Sequence, residues 1–241
     1  MTTAKAAKLL TTIEGLDPSE KIRADLAAEG RPVLVAFSGG KDSICAALAL
    51  RDAGVQVHLV CLQLIPGMPL VEEGMESLAD QIGLPVHRYQ HPSLFRMLAN
   101  GIYQPPERAQ TIGAAELPKI SFPLLWQMIR EDLQLPEDTY LADGVRANDS
   151  PQRRIAFKKF GALKPESRKV SPIWDWSIAM IRRTLAEHQI QLPPDYELFG
   201  RTFDGLDIKF MGPLKEHRPE DYAVVKSWFP LIDLEMIRHG F

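Results

Sequence analysis

The chain has 241 residues, of which 45% are hydrophobic and 24% are charged, and this composition is typical of a folded globular protein rather than a disordered one. The length fits one large domain with a modest appendage. The formal net charge of −3 does not indicate unpatterned binding of nucleic acid through bulk positive charge, and it leaves room for a local basic patch.

Membrane, secretory and metal-cluster classes are also disfavoured by the sequence. No apolar run has the length of a membrane helix, and the N-terminus lacks the pattern of a secretory signal. We therefore expect a soluble cytoplasmic protein that makes no contact with a membrane. The only two cysteines, Cys45 and Cys61, cannot build a disulfide framework, an iron–sulfur cluster or an all-cysteine zinc site, and we predict that both lie in the core.

The first thirty residues have a helical composition. Residues 4–13 are rich in Ala, Lys and Leu, which predicts a first helix. A second helix is predicted over 18–29, with Asp17 as its N-cap and Gly30 as its stop signal.

An alternation of strands and helices follows and predicts the fold class. Strands are predicted at 32–37, 57–62, 85–89 and 139–142, and helices at 44–53, 71–82, 122–133, 150–160, 177–188 and 219–228. This order is typical of an α/β fold with a parallel twisted sheet and helices on both faces. Residues 192–213, rich in Pro and Gly, are predicted to be ordered loop, so the sheet is followed by a helical and loop C-terminal extension. The predicted division is 1–30 for the N-terminal helices, 31–176 for the nucleotide-binding domain and 177–241 for the C-terminal region packed on it.

The strongest chemical signal is a glycine-rich turn between the first predicted strand and the next helix. Such a turn lets main-chain N–H groups and a helix N-terminus converge on an anion, while two hydroxyls and one ammonium group add donors. Its residues are Ser38, Gly39, Gly40, Lys41, Asp42 and Ser43. The spacing matches neither the Walker A loop nor the G-x-G-x-x-G fingerprint. The alternative is an ordinary strand–helix turn whose glycines serve only tightness.

Residues 36–43, Ala-Phe-Ser-Gly-Gly-Lys-Asp-Ser, resemble the PP-loop of the ATP pyrophosphatase superfamily. The layout is most similar to the phosphoadenosine phosphosulfate (PAPS) reductase-like family, and especially to its small phage- or prophage-encoded members. The resemblance implies an adenine nucleotide alpha hydrolase-like fold. It also implies ATP or PAPS as the bound nucleotide, with this loop holding the phosphates.

Two later segments extend the resemblance. One contains Asp143, Gly144, Val145 and Arg146, followed by Ser150, Arg153 and Arg154, and is similar to a family segment whose arginines contact phosphate or sulfate. The other, residues 171–177, is similar to a segment that precedes a helix near the nucleotide. By resemblance, the nucleotide-binding residues are those of the turn together with Asp143, Gly144, Arg146 and Arg154. The catalytic candidates are Lys41, Arg146 and Arg153.

The resemblance and the chemistry of ATP also imply Mg²⁺ bridging phosphate oxygens, with Asp42 or Asp143 as a carboxylate or outer-sphere ligand. Three tryptophans, Trp174, Trp176 and Trp228, are candidates for stacking on a base, and we predict that at least two of them are core residues instead.

One departure from the family directs the functional prediction. Sulfonucleotide reductases carry a catalytic cysteine near the C-terminus, and no cysteine follows Cys61 here. We therefore predict an adenylyltransferase-type enzyme that releases pyrophosphate from ATP and uses an unidentified small-molecule or nucleic-acid acceptor. One alternative is a protein that binds or reduces a sulfonucleotide with a thiol supplied by a partner. The other is a non-catalytic nucleotide-sensing module that acts with a partner protein.

Overall fold

The structure is a computed structural model and describes residues 9–240. It contains six strands: β1 (Val33–Ala36), β2 (Val57–Gln63), β3 (Val86–Gln90), β4 (Tyr140–Ala142), β5 (Leu163–Lys164) and β6 (Lys169–Val170). The helices before β4 are α1 (Ser19–Glu29), α2 (Lys41–Asp52), α3 (Pro69–Ile82), α4 (Pro92–Ala99), α5 (Pro106–Ala114) and α6 (Phe122–Asp132). The helices after it are α7 (Pro151–Phe160), α8 (Ile178–Glu187), α9 (Pro194–Phe199), α10 (Ile208–His217), α11 (Pro219–Trp228) and α12 (Asp233–Arg238). A single 3₁₀ turn, Pro165–Ser167, joins β5 to β6.

The strands form one mostly parallel sheet in the order β3-β2-β1-β4-β6-β5, which confirms the predicted α/β class. The central strand β1 pairs in parallel with both β2 and β4, β4 pairs in parallel with β6, and β5 runs antiparallel to β6 at the edge. Successive side chains of a strand point to opposite faces. Because Val33, Leu34 and Val35 are all fully buried, both faces of the sheet are covered at its centre.

The described chain divides into two compact units. The first comprises the residues up to Cys61 together with Leu78–His87 and Leu135–Leu192, and it contains most of the sheet and α1, α2, α7 and α8. The second comprises Leu62–Ser77, Arg88–Gln134 and the residues from Pro193 onward. Within residues 9–240, no helix combines the length and the apolar character needed to cross a bilayer.

The prediction for the N-terminal region is partly wrong. Residues 4–8 of the predicted helix lie outside the described residues, and residues 9–13 are not helical. They form an extended segment: Leu10 makes an antiparallel bridge to Trp176, and the Thr11 N–H donates to the Asp175 carbonyl over 2.7 Å. The helix that follows, α1, has Pro18 and not Asp17 as its N-cap. Asp17 instead accepts a hydrogen bond from Lys21.

The ordered loop predicted over 192–213 is also wrong, because most of this stretch lies in α9 and the first part of α10. Proline favours a loop when only the sequence is considered, but Pro194 occupies the first turn of α9, where a missing N–H costs nothing. Gly200 then ends α9 with a φ of 69°, and the Asp207 side chain caps α10 by accepting from the Lys209 N–H. The same use of proline at a helix start explains why α4 and α5 are absent from the prediction.

Candidate functional site

The glycine-rich turn lies where the sequence predicts it: residues 38–40 follow the carboxyl end of β1, and residues 41–43 form the start of α2. Gly39 has a φ of 72°, a conformation that favours glycine. Gly40 is the N-cap of α2 and has no side chain that could accept a hydrogen bond from the first turn of the helix. The N–H groups of that turn therefore depend on other acceptors. A helix start of this kind is suited to an anion.

The hydroxyl groups of two serines, Ser38 and Ser43, make contacts within the turn. The Ser43 hydroxyl is buried and donates to the Gly40 carbonyl over 2.9 Å. The Ser38 side chain lies 3.3 Å from both the Gly40 nitrogen and the Ser43 Oγ. Because Ser38 is an exposed residue, its hydroxyl is accessible from solvent, whereas Ser43 serves mainly to hold the turn.

The second predicted segment meets this turn because β4 pairs in parallel with β1, which places their carboxyl ends at the same edge of the sheet. Gly144 lies just beyond β4, against the start of α2. A Cβ on Gly144 would come within 2.7 Å of the backbone carbon of Asp42 and within 2.9 Å of the Ser43 nitrogen. Residue 144 is therefore glycine because the backbones of the two segments touch there.

Asp143 supports this junction. Its Oδ1 accepts hydrogen bonds from the Ser171 hydroxyl at 2.8 Å and from the Val145 N–H at 3.1 Å. Burial raises the pKa of the Asp143 carboxyl above its ordinary value, while these two hydrogen bonds and the positive charges of Lys164 and Lys169 act in the opposite direction. The residue ties the second segment to the third.

A chain of alternating charges crosses the site. The Lys41 ammonium lies 2.8 Å from Asp42 Oδ2, and Arg146 Nε lies 3.1 Å from Asp42 Oδ1. Arg146 Nη2 then contacts Asp149 Oδ1 at 2.8 Å, and the other oxygen of Asp149 contacts Arg153 Nη1 at 2.6 Å. Three cations and two carboxylates leave one net positive charge.

Arg146 is the buried central residue of this series of alternating charges, and its side chain is only 7% exposed. The contact between its Nε and Asp42 Oδ1 is close enough for an ion pair, yet neither atom has a hydrogen-bond partner in suitable geometry within the part of the chain that the structure describes. We regard it as a Coulombic contact without a directed hydrogen bond. Removing either charge would leave the other in a poorly solvated position.

Asp149 is a residue of the candidate site that the sequence analysis does not identify. It accepts the backbone N–H of Arg146 at 2.9 Å and pairs with the side chains of both Arg146 and Arg153. The signal available was its spacing, three residues after one arginine and four residues before the other. Ser150 caps α7 by accepting from the Arg153 N–H at 3.1 Å, and Arg154 is exposed.

The third predicted segment, residues 171–177, contributes buried side chains and backbone hydrogen bonds next to the site. Trp174 and Trp176 are buried, which confirms a core role for two of the three tryptophans considered. The Trp174 carbonyl accepts from the Ala147 N–H at 2.7 Å, which fixes the chain directly after Arg146. Asp175 accepts from both the backbone N–H and the hydroxyl of Ser19, so its carboxylate holds the start of α1.

Neither cysteine is available for chemistry. Cys45 and Cys61 are both buried, as predicted. Burial, followed by the negative charge of Asp42, raises the pKa of the Cys45 thiol to about 12. A thiol with such a pKa is protonated at neutral pH and is a poor nucleophile.

The carboxylates of the site do not offer an evident position for Mg²⁺. Both oxygens of Asp42 already face cations, and within residues 9–240 no group of three or more His, Cys, Asp or Glu side chains is arranged to hold a metal ion. Any magnesium would depend chiefly on phosphate oxygens, which is common for this ion. A direct ligand role for Asp42 stays a prediction.

Comparisons with known proteins give structural likeness only. No protein-family model matches the chain, and no curated protein matches it. One similar solved structure is a predicted subunit of tRNA methyltransferase from Methanocaldococcus jannaschii, with 20% identity, a TM-score of 0.38, and coverage of 80% of this chain and 91% of that one. Another is PAPS reductase from Candida auris, with 14% identity, a TM-score of 0.45, and coverage of 79% and 88%. A third is NH3-dependent NAD synthetase from Campylobacter jejuni, with 11% identity, a TM-score of 0.44, and coverage of 92% and 96%. Because these TM-scores lie below 0.5, the case for a function depends on the chain's own residues.

Proposed function

We propose that the chain binds ATP at the turn formed by residues 38–43 and transfers its adenylyl group to an acceptor, with release of pyrophosphate. The observation that carries the proposal is the contact of this turn with Gly144, which brings a glycine-rich helix start, an ammonium group and an arginine-centred charge chain together at one sheet edge. Transfer at phosphorus needs positioning and charge neutralisation more than it needs a protein nucleophile.

In this proposal, Lys41 changes partners when the nucleotide binds. Its ammonium group leaves Asp42 and contacts the phosphates that become pyrophosphate. Because Arg146 also faces the Asp42 carboxylate, that carboxylate keeps one cation after Lys41 has moved. The second cation lowers the cost of the exchange, since an unpaired carboxylate in a partly buried position is unfavourable.

The arginines then have different roles. Arg146 is buried between two carboxylates, and we assign it the role of a positioning residue that holds Asp42 and the turn. Arg153 is 48% exposed and shares Asp149, so its guanidinium can turn towards the α-phosphate or the acceptor. Arg154, also on the first turn of α7, is a further candidate for phosphate contact.

The proposed reaction breaks one bond of ATP for the one that it forms. A nucleophilic atom of the acceptor forms a bond to the α-phosphorus, and the bond between that phosphorus and the bridging oxygen to the β-phosphate breaks. Pyrophosphate leaves with the electron pair, and the proton of the acceptor passes to water. No thiol takes part, in keeping with the burial of both cysteines; reduction of a sulfonucleotide would need a thiol from another molecule.

Calorimetric titration with ATP and with PAPS, in buffer containing magnesium, tests the binding step. Lys41→Ala is expected to weaken ATP binding by about 10- to 100-fold, the range for a lost charge-assisted hydrogen bond, without a change in thermal stability. Lys21→Ala is the matched control, because it removes an exposed lysine whose partners are Asp17 and Asp25. Pyrophosphate release is then measured with water and with a panel of acceptors. Absence of ATP binding by the wild-type protein, or equal affinities for the two variants, would overturn the proposal.

A further inference from the structure

A short stretch of the chain carries a charge opposite to that of the rest. Residues 151–169 contain seven Lys and Arg residues and one acidic residue, Glu166, which gives this stretch a net charge of +6. Since the whole chain has a net charge of −3, the remaining residues sum to −9. The stretch comprises α7, β5, the 3₁₀ turn and the start of β6.

Most of these cations are not used in ion pairs. Arg153 pairs with Asp149, and Arg168 pairs with Glu137. The other five make no ion pair with a carboxylate in the described part of the chain, and we call them the basic strip: Arg154, Lys158, Lys159, Lys164 and Lys169. Cations that make no ion pair with a carboxylate can attract a polyanion.

Two members of the strip lie opposite each other at a cost to the fold. Lys164 on β5 and Lys169 on β6 are register partners in the antiparallel pair, and like charges in that position are destabilising. Burial raises the pKa of the Asp143 carboxyl, and the positive charges of both lysines oppose that shift; Asp143 directly precedes Gly144. The strip therefore extends electrostatically to the candidate site.

Apolar side chains are interspersed with these cations. Ile155 is 67% exposed and Phe160 is 59% exposed, and the Lys159 ammonium lies 5.0 Å from the centroid of the Phe160 ring. Cations beside an exposed aromatic ring are suited to a single-stranded polynucleotide, because its phosphates can contact the cations while a base stacks on the ring. A membrane-surface helix needs a broad exposed apolar face, whereas the Phe157 side of α7 is buried in the protein.

We infer that the basic strip, with Phe160, binds a single-stranded polynucleotide and that this polynucleotide is the acceptor class of the reaction. The second part rests on the proposed function. In the transfer, a nucleophilic atom of the polynucleotide bonds to the α-phosphorus, the α–β phosphoanhydride bond breaks, and pyrophosphate leaves with the electron pair while the proton of that atom passes to water. Arg153 links the two sites, because it follows Ser150 at the start of α7 and shares Asp149 with Arg146.

Fluorescence anisotropy with labelled 16-nucleotide RNA and DNA strands of mixed sequence, over a range of salt concentrations, tests the binding. The double variant Lys158→Gln/Lys159→Gln is expected to bind more weakly and to reduce the slope of log affinity against log salt by about 1.4, or about 0.7 for each lost phosphate contact. The matched control is Lys209→Gln/Lys226→Gln, which removes two lysines of α10 and α11. Phe160→Ala is expected to weaken binding by about 5- to 100-fold with an unchanged salt slope, since stacking releases no counterions.

The outcomes separate the two proposals. Equal binding by the two double variants, no binding of either strand at low salt, or a preference for vesicles of anionic lipid over both strands would overturn the inference. Preference for RNA or for DNA would identify the source of the polynucleotide.

If ATP binds and polynucleotides do not, only the inference fails; if polynucleotides bind without ATP binding, the proposed function fails. Stimulation of pyrophosphate release by the preferred strand is the result expected if it is the acceptor, and its absence despite binding would overturn that part.

Discussion

Gly144 lies against the backbone of Asp42 so closely that an added Cβ would be 2.7 Å from the Asp42 carbonyl carbon and 2.9 Å from its oxygen. The atoms that would be displaced are main-chain atoms at the start of α2, so they cannot rotate away as a side chain can. The shape of the proposed phosphate site therefore depends on a residue that itself contributes no charge.

Gly144→Ala tests this dependence. We expect the turn to shift, ATP affinity to fall by at least about 10-fold, and the free energy of unfolding to fall by about 1–3 kcal/mol, as for other overpacked positions. The control is Gly113→Ala on α5, where a Cβ would meet no atom within 4 Å among the described residues and helix propensity favours alanine by up to about 1 kcal/mol. Calorimetry and urea unfolding provide the measurements. Equal ATP affinity in the two variants would show that the turn tolerates displacement.

The two arginines that share Asp149 are expected to differ in their effect on stability. Arg146 is 7% exposed and also faces Asp42, whereas Arg153 is 48% exposed. Arg146→Ala should lower the free energy of unfolding by about 2–4 kcal/mol, because it leaves Asp42 Oδ1 buried without its cation. Arg153→Ala should cost at most about 1 kcal/mol, the range for an exposed pair. Urea unfolding at neutral pH measures both, and a larger loss for Arg153→Ala would contradict the assigned roles.

Cysteine chemistry should be dispensable. Because burial raises the pKa of Cys45 to about 12, iodoacetamide should leave the thiol unmodified in the native protein at pH 8, and both cysteines should react after unfolding in urea. Mass spectrometry counts the modified thiols. Pyrophosphate release by a Cys45→Ala variant should match that of the wild type, and a large loss in a normally folded variant would reopen a thiol mechanism.

Local patterns predicted the centre of the sheet well. The run of apolar residues before Ser38 and the helical pattern after Lys41 are properties of adjacent residues, so the strand, the turn and α2 were all found. The contacts that complete the site join segments far apart in the chain. The Asp175 carboxylate accepts the Ser19 N–H at the start of α1, although the two residues are 156 positions apart in the chain. The local pattern that favours Asp17 as the N-cap gives no sign of this distant carboxylate.

The short strands were missed for a related reason. β5 and β6 have two residues each, which is too few to show alternation, and they exist because β4 offers a pairing edge. Lys164 and Lys169 therefore could not be recognised from the sequence as cross-strand partners. The proposed role of the basic strip depends on that pairing and on the structure that creates it.

A carboxylate in the second unit should make stability depend on pH. Asp195 is 5% exposed; its Oδ2 accepts from the Phe203 N–H at 3.0 Å, and no group in the described chain donates to Oδ1 in suitable geometry. Burial raises its pKa from 3.8 to about 6. The folded state therefore binds this proton more tightly than the unfolded state does. The stabilisation that comes from protonated Asp195 is fully present below the pKa of this carboxyl in the unfolded chain, and it is lost as the pH rises through about 6.

Asp195→Asn keeps an acceptor for the Phe203 N–H and removes the titration. Relative to the wild type, the variant should gain up to about 3 kcal/mol in the free energy of unfolding between pH 4 and pH 7, as a shift of this size requires. Urea unfolding of both proteins across that pH range measures the difference, with Asp204→Asn as a control at an exposed carboxylate. A difference that stays constant with pH, or that changes as much for the control, would show that Asp195 titrates in the folded protein much as it does in the unfolded chain.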